Sequence, residues 1–320
     1  AGDVSLYTAL YGPRFAVQSS DEFAKAIGYP KSPVDDLLVF HIVFGKTVPD
    51  ISLNAVANLG YAECAFLKPV YSGDTLQATS EVIGLRENSN RQSGVVYVRT
   101  NGRNQHGEAV LRYVRWVMVR KRQESLPAPQ SHVPDLKEAV EADALGGALP
   151  RLQFESYNYA LAGSAHRWGD YQIGEKISHL DGMTIEEAEH QLATRLFQNT
   201  AKVHFNQFEQ GQGRFGRRLV YGGHIISLAR ALSFNGLENA FHVAAINGGR
   251  HVAPAFAGDT VYAYSEVLDK ALLAQSGAGA LRLRMVALKD NQGDSFPLMD
   301  GDRYDPAVLL DLDLWAVIPV

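Results

Sequence analysis

The chain has 320 residues and a mass of 35.0 kDa, which allows one large domain or two ordinary ones. Apolar residues make up 46% and charged residues 20%, a composition that excludes a disordered chain. Lys and Arg number 30 against 35 Asp and Glu, a net charge of −5, so no broad basic field exists to hold a nucleic-acid backbone or an anionic membrane.

The single cysteine, Cys64, rules out an intramolecular disulfide and any cysteine-based metal cluster, and fits a reducing compartment. From the start, Ala1-Gly2-Asp3-Val4 is neither basic nor followed by an apolar signal core. No stretch reaches the roughly 18–20 apolar residues that span a bilayer. A soluble, cytoplasmic protein without nucleic-acid or membrane partners is the expectation.

In the first half, residues 50–62 read as a long apolar helix. Strand candidates follow at 65–71, 75–85, 94–101 and 109–120, separated by Gly, Asn and Ser turns. Punctuation is then densest at 121–150, where Pro127, Pro129, Pro134 and Pro150, four of the 13 prolines, flank an acidic, alanine-rich stretch at 135–148 with room for one short helix. Proline breaks both helix and ladder, so 123–150 reads as a linker between a unit at 1–122 and another at 151–320.

In the second unit a strand-like segment at 171–179 and the stretch 184–190 precede a helix at 224–237. There Ile225, Leu228, Ala229, Leu232 and Gly236 recur at spacings of three and four, as a buried helix requires. Strands are predicted at 249–256, 260–268, 280–289 and 307–318.

The two units are copies. Pro69, Gly73, Asp74, Thr75, Glu81 and Val82 recur as Pro254, Gly258, Asp259, Thr260, Glu266 and Val267, all at one offset of 185. The polar turn 104–108 answers 290–294, and Trp116 answers Trp315. A long helix ahead of a run of antiparallel strands implies, in each copy, a sheet wrapped around that helix. The first copy opens at the counterpart of 184–190, so a leading strand is expected to be missing from it.

Two segments carry chemistry. One is Asn199-Thr-Ala-Lys-Val-His204-Phe-Asn206; the other is Arg217-Arg218-Leu-Val-Tyr-Gly222-Gly223-His224-Ile-Ile-Ser227, which opens the second helix. Histidine titrates near neutrality unaided, and an amide five residues earlier can fold over it around a short turn. A glycine pair at a helix start offers backbone N–H groups and the positive end of the dipole to an oxygen gaining charge. Taken singly, each signal is weak: a loop histidine is more often structural, and a glycine pair is more often a tight turn.

Together with the Pro-x-x-x-Gly-Asp-Thr element, these segments in this order resemble the MaoC-like dehydratases, the (R)-specific enoyl-CoA hydratase group with the hotdog fold. The resemblance covers nearly the whole chain as two hotdog repeats. It implies an α+β double hotdog with long central helices wrapped by antiparallel sheet. It further implies a carbon–oxygen lyase adding water to a CoA thioester, with no metal or organic cofactor, and a homodimer.

The stretches Gly12-Pro-Arg-Phe-Ala16 and 199–206 resemble the members acting on short, branched, carboxylated enoyl-CoA esters such as mesaconyl-CoA. Carried over residue by residue, His204 is the acid–base group, Gly222 or Gly223 the oxyanion donor, and Ser227 a supporting hydroxyl. Asn199 stands where the family has Asp. In the first repeat the equivalents are Gly12 and Val17, so only the second repeat is expected to be catalytic, the first shaping the substrate pocket.

An amide cannot take a proton, but it avoids like-charge repulsion with a substrate carboxylate. Two unit charges about 5 Å apart at an effective dielectric near 20 repel by roughly 3 kcal/mol. For that carboxylate the candidate partners are Arg218, Arg217, Lys202 and Arg14. Arg115, Arg120, Lys121 and Arg122 are candidates for the CoA phosphates, or simply solvated charges at strand ends. His41, His179, His190, His224 and His251 read as structural, and Asp50 as lying near a helix start. The alternatives are a hydratase for a plain acyl-CoA, a hotdog thioesterase, and a non-catalytic acyl-CoA-binding protein.

Overall fold

The computed structural model describes residues 1–53, 55–275 and 277–320. Eight α-helical segments occur among them: α1 (Gly2–Tyr11), α2 (Ala16–Ser19), α3 (Asp21–Ala26), α4 (Asp36–Lys46), α5 (Tyr159–Ala162), α6 (Glu187–Leu196), α7 (Gln207–Gln210) and α8 (Gly222–Leu232). The strands of the first half are β1 (Ala55–Phe66), β2 (Gln77–Glu87), β3 (Ser93–Arg103) and β4 (Ala109–Arg120). Those of the second are β5 (Lys176–Ser178), β6 (Met183–Thr184), β7 (His242–His251), β8 (Thr260–Leu272), β9 (Ala278–Lys289) and β12 (Val308–Pro319), with a small hairpin of β10 (Met299–Asp300) and β11 (Arg303–Tyr304).

All the longer strands join one antiparallel sheet in the order β2-β3-β4-β1-β7-β12-β9-β8-β5. The two repeats meet where β1 pairs with β7, Cys64 opposite Ile246. The sheet wraps α4 and α8, and a continuous core of residues from both helices and the inner strand faces lies between them. Every residue of α8 from Gly223 to Leu232 is buried, as are eight of α4, the pattern of a helix enclosed on all sides. A second apolar cluster on the outer sheet face is covered by α2, α3 and the segment around Leu145–Tyr157.

The first central helix is α4, not the segment 50–62. Asp35 caps α4 by accepting the Leu37 N–H at 2.9 Å, and 11 residues follow before Thr47 ends it. Residues from Ala55 onward form β1 instead, and Asp50 lies in a single π-helical turn, Val48–Ser52. Ala55, Ala57, Ala62 and Ala65 give this strand a helix-like composition, which cross-strand pairing with β4 and β7 overrides. The stretch 135–148 holds only a 3-10 turn at Ala142–Ala144.

In the second repeat β5 and β6 both pair with β8. At the matching edge of the first repeat, β2 carries among the described residues only an isolated bridge from Leu85 to His132. No helix among the described residues is long and apolar enough to cross a membrane.

Candidate active site

The segment after α6 carries Asn199 and His204. Phe197 is fully buried, and its carbonyl lies so close to α4 that a Cβ on Gly45 would overlap it. Gln198, at φ 55, turns the chain out of the helix. Asn199 is 5% exposed; its Oδ1 accepts the Ala201 N–H at 2.9 Å and starts the 3-10 turn Lys202–His204. Its Nδ2 has no protein partner among the described residues.

That turn holds His204 with Nδ1 2.9 Å from the Leu219 carbonyl and its ring edge-on to Tyr221, centroids 5.4 Å apart. A carbonyl only accepts, so Nδ1 carries the proton and Nε2 keeps its lone pair. Burial pushes the imidazole pKa down to about 4 against the opposing pull of the Leu219 carbonyl. The ring is therefore neutral at pH 7, with a free base nitrogen.

Tyr221 is the N-cap of α8, and the N–H groups of Gly222 and Gly223 belong to the first turn, where a helix supplies no acceptor. Both glycines are required by close approach. A Cβ on Gly222 would run into the His251 ring, and one on Gly223 into Tyr221 and His41. Tyr61 Oη lies 3.1 Å from Nε2 of His251. His251 is itself pushed down to about 4 by burial and by His204. His204, His251, Tyr221 and the two glycines thus gather at the start of α8.

Ser227 points elsewhere. It is 1% exposed, accepts the Tyr7 hydroxyl at 3.1 Å and shares a 3.0 Å bond with Nε2 of His41. Tyr11 Oη lies 2.8 Å from Nδ1 of His224 in the same interior network. Burial drives both His41 and His224 down to about 3.

The cations are dispersed. Arg218 is paired with Glu187, which also meets His190; Lys202 is paired with Glu209 at 2.9 Å; Arg217 stacks 4.0 Å over Phe256. Arg14 donates to Asn235 at 2.7 Å and covers Phe234, at the far end of α8, about 16 Å along the helix from Gly222. Arg115 is fully buried in mid-strand, which removes it from the surface group with Arg120, Lys121 and Arg122. The sequence reading also passed over Tyr61, Tyr221 and the place of His251. One signal was available: the counterpart of His251 at the repeat offset is Phe66, so an imidazole replaces an apolar ring there.

A groove of about 910 Å³ opens elsewhere, bordered by Arg151, Phe154, Tyr159 and Arg167. None of its lining residues belongs to the His204 cluster.

Known proteins resemble this chain over nearly its whole length. Residues 16–305 match the family model described as mesaconyl-CoA hydratase. The mesaconyl-CoA hydratase of Cereibacter sphaeroides is 61% identical over 99% of this chain and 92% of its own length. The beta-methylmalyl-CoA dehydratase of Chloroflexus aurantiacus is 59% identical over 99% and 91%. A solved MaoC domain protein from Chloroflexus aurantiacus superposes with a TM-score of 0.96 at 58% identity, over 99% of this chain and 91% of the other. A Mycobacterium tuberculosis protein described as a double hotdog shares the fold at a TM-score of 0.71 and 23% identity, again over 99% and 91%.

Proposed function

Because the chain belongs to the mesaconyl-CoA hydratase family, we propose that it catalyses the reversible hydration of mesaconyl-CoA (2-methylfumaryl-CoA) to β-methylmalyl-CoA. The observation that carries the reading is a neutral His204 with Nε2 unpaired, beside the open N–H groups that begin α8.

Nε2 of His204 takes a proton from water as the water oxygen bonds to C3. The electrons of the 2,3 double bond move toward the thioester oxygen, which accepts from the Gly222 or Gly223 N–H. The imidazolium then returns its proton to C2, so atoms and charge balance and the base is regenerated. Asn199, with Oδ1 committed to Ala201, offers its Nδ2 to orient the water without setting a second negative charge beside the substrate carboxylate.

Cys64 is buried and free, in keeping with a cytoplasmic location, and a homodimer is the assembly we expect. Incubation with mesaconyl-CoA and with crotonyl-CoA, following the absorbance of the conjugated thioester, tests the reading. Rapid loss with mesaconyl-CoA that disappears in His204→Ala supports it. Loss insensitive to that substitution, or tight CoA-ester binding without any loss, overturns it.

A further inference from the structure

Arg115 stands in mid-strand on β4, completely buried. Its Nη2 donates to Thr47 Oγ1 at 2.8 Å, whereas Nε and Nη1 have no partner. No carboxylate pairs with it among the described residues. The guanidinium lies 4.1 Å over the Phe44 ring, and Thr47 is the C-cap of α4, so an aromatic face and the negative end of a helix dipole offset part of its charge. Two of the three nitrogens of a planar fork shaped for a carboxylate remain unused.

Other unused donors surround the same phenylalanine. Tyr113 lies two residues before Arg115 on the same face of β4, and Tyr221 closes the box from the start of α8. Their rings lie 6.3 and 6.0 Å from that of Phe44, and neither hydroxyl has a partner of acceptable geometry. Tyr61 sits directly across from Arg115 on β1 and reaches His251, whose ring rests on Gly222. The buried cation is thus linked to the His204 site through Tyr61 on one side and Tyr221 on the other.

A buried arginine without an anion is costly, and a fold that retains one with idle donors beside its active site has a use for it. We infer that Arg115, with the hydroxyls of Tyr113 and Tyr221, receives the free carboxylate of the substrate, the group on the carbon that takes up the hydroxyl. The inference rests on the carboxylated acyl group of the proposed function. The donors lie beneath closed side chains, so the carboxylate enters as the Tyr61 and Tyr221 rings part.

The test separates binding from turnover by titrating the protein with succinyl-CoA and with butyryl-CoA. Both are unreactive here, and they differ by a carboxylate in place of a methyl group. The protein should prefer succinyl-CoA, and Arg115→Met should cut that preference about 100-fold while the melting temperature holds or rises, because an unpaired buried charge has gone. Should Arg115→Met fail to fold, the Tyr113→Phe, Tyr221→Phe double variant replaces it, with an expected loss of about tenfold in the same ratio. A folded variant with the preference intact, or with both affinities reduced alike, overturns the inference. The proposed function is judged separately, by turnover of mesaconyl-CoA in the unmodified protein.

Discussion

Nδ1 of His204 and the carbonyl oxygen of Leu219 lie 2.9 Å apart, and this one bond decides which nitrogen can act as a base. With Nδ1 as donor, Nε2 is the lone-pair nitrogen. Burial keeps the ring neutral down to about pH 4. The rate at limiting mesaconyl-CoA, kcat/KM, should therefore show no titration near 6.5, the ordinary histidine value. Replacing His204 by Gln should lower kcat by about 100- to 10,000-fold, measured as loss of conjugated-thioester absorbance. A retained activity would place the base elsewhere.

Asn199 supplies a sharper comparison. Its Oδ1 starts the turn that carries His204 by accepting the Ala201 N–H, a bond that an aspartate would also make. Asn199→Asp should leave the turn in place and add only a charge. On mesaconyl-CoA that charge opposes the substrate carboxylate by roughly 3 kcal/mol at a separation of about 5 Å, so kcat/KM falls; on crotonyl-CoA, which lacks the carboxylate, it should not fall. Higher turnover on mesaconyl-CoA would refute the repulsion argument.

The repeat was legible because its motif is local chemistry. Asp74 and Asp259 accept the N–H of Tyr71 and Phe256, each at 2.8 Å, and Gly73 and Gly258 adopt φ 104 and 94, values that favour glycine. Such a turn is written in four consecutive residues. The helix α4 was not legible, because apolar residues fall on every face of it and leave no clear amphipathic period, although the offset of 185 applied to α8 points to it. At the site, the histidine, the amide and the glycines lie within short segments. Arg115 and His251 acquire their meaning from partners across the sheet, Tyr61 for both, and a lone arginine in a strand pattern reads as an exposed charge.

Gly222 and Gly223 make contrasting predictions from a shared position. A methyl group at 222 first meets the His251 ring, whereas one at 223 is caught between Tyr221 and His41. Gly222→Ala should displace His251 and lower kcat by about 100-fold, as expected when an oxyanion donor is misplaced, with a small loss of melting temperature. Gly223→Ala should also destabilise the fold, because His41 is bonded to Ser227 in the interior and cannot withdraw freely. Thermal unfolding of the two variants side by side checks the order.

Acid should unfold this protein early. Burial holds His41 and His224 to about 3, and His179, His204 and His251 to about 4, whereas each titrates near 6.5 in an unfolded chain. Above pH 6.5 both states are neutral at these positions and stability is independent of them. As pH falls from 6.5 toward 4, the unfolded chain binds protons that the folded chain refuses, so stability drops through this window. Asp35, held up at about 6 by burial and by Asp36 beside it, works in the opposite direction as a single group. Each pKa difference of one is worth about 1.4 kcal/mol and a domain's whole stability is about 5–15 kcal/mol, so a few buried imidazoles suffice to exhaust it. Far-UV circular dichroism should show cooperative unfolding between pH 6.5 and 4; a flat signal across that range would overturn the prediction.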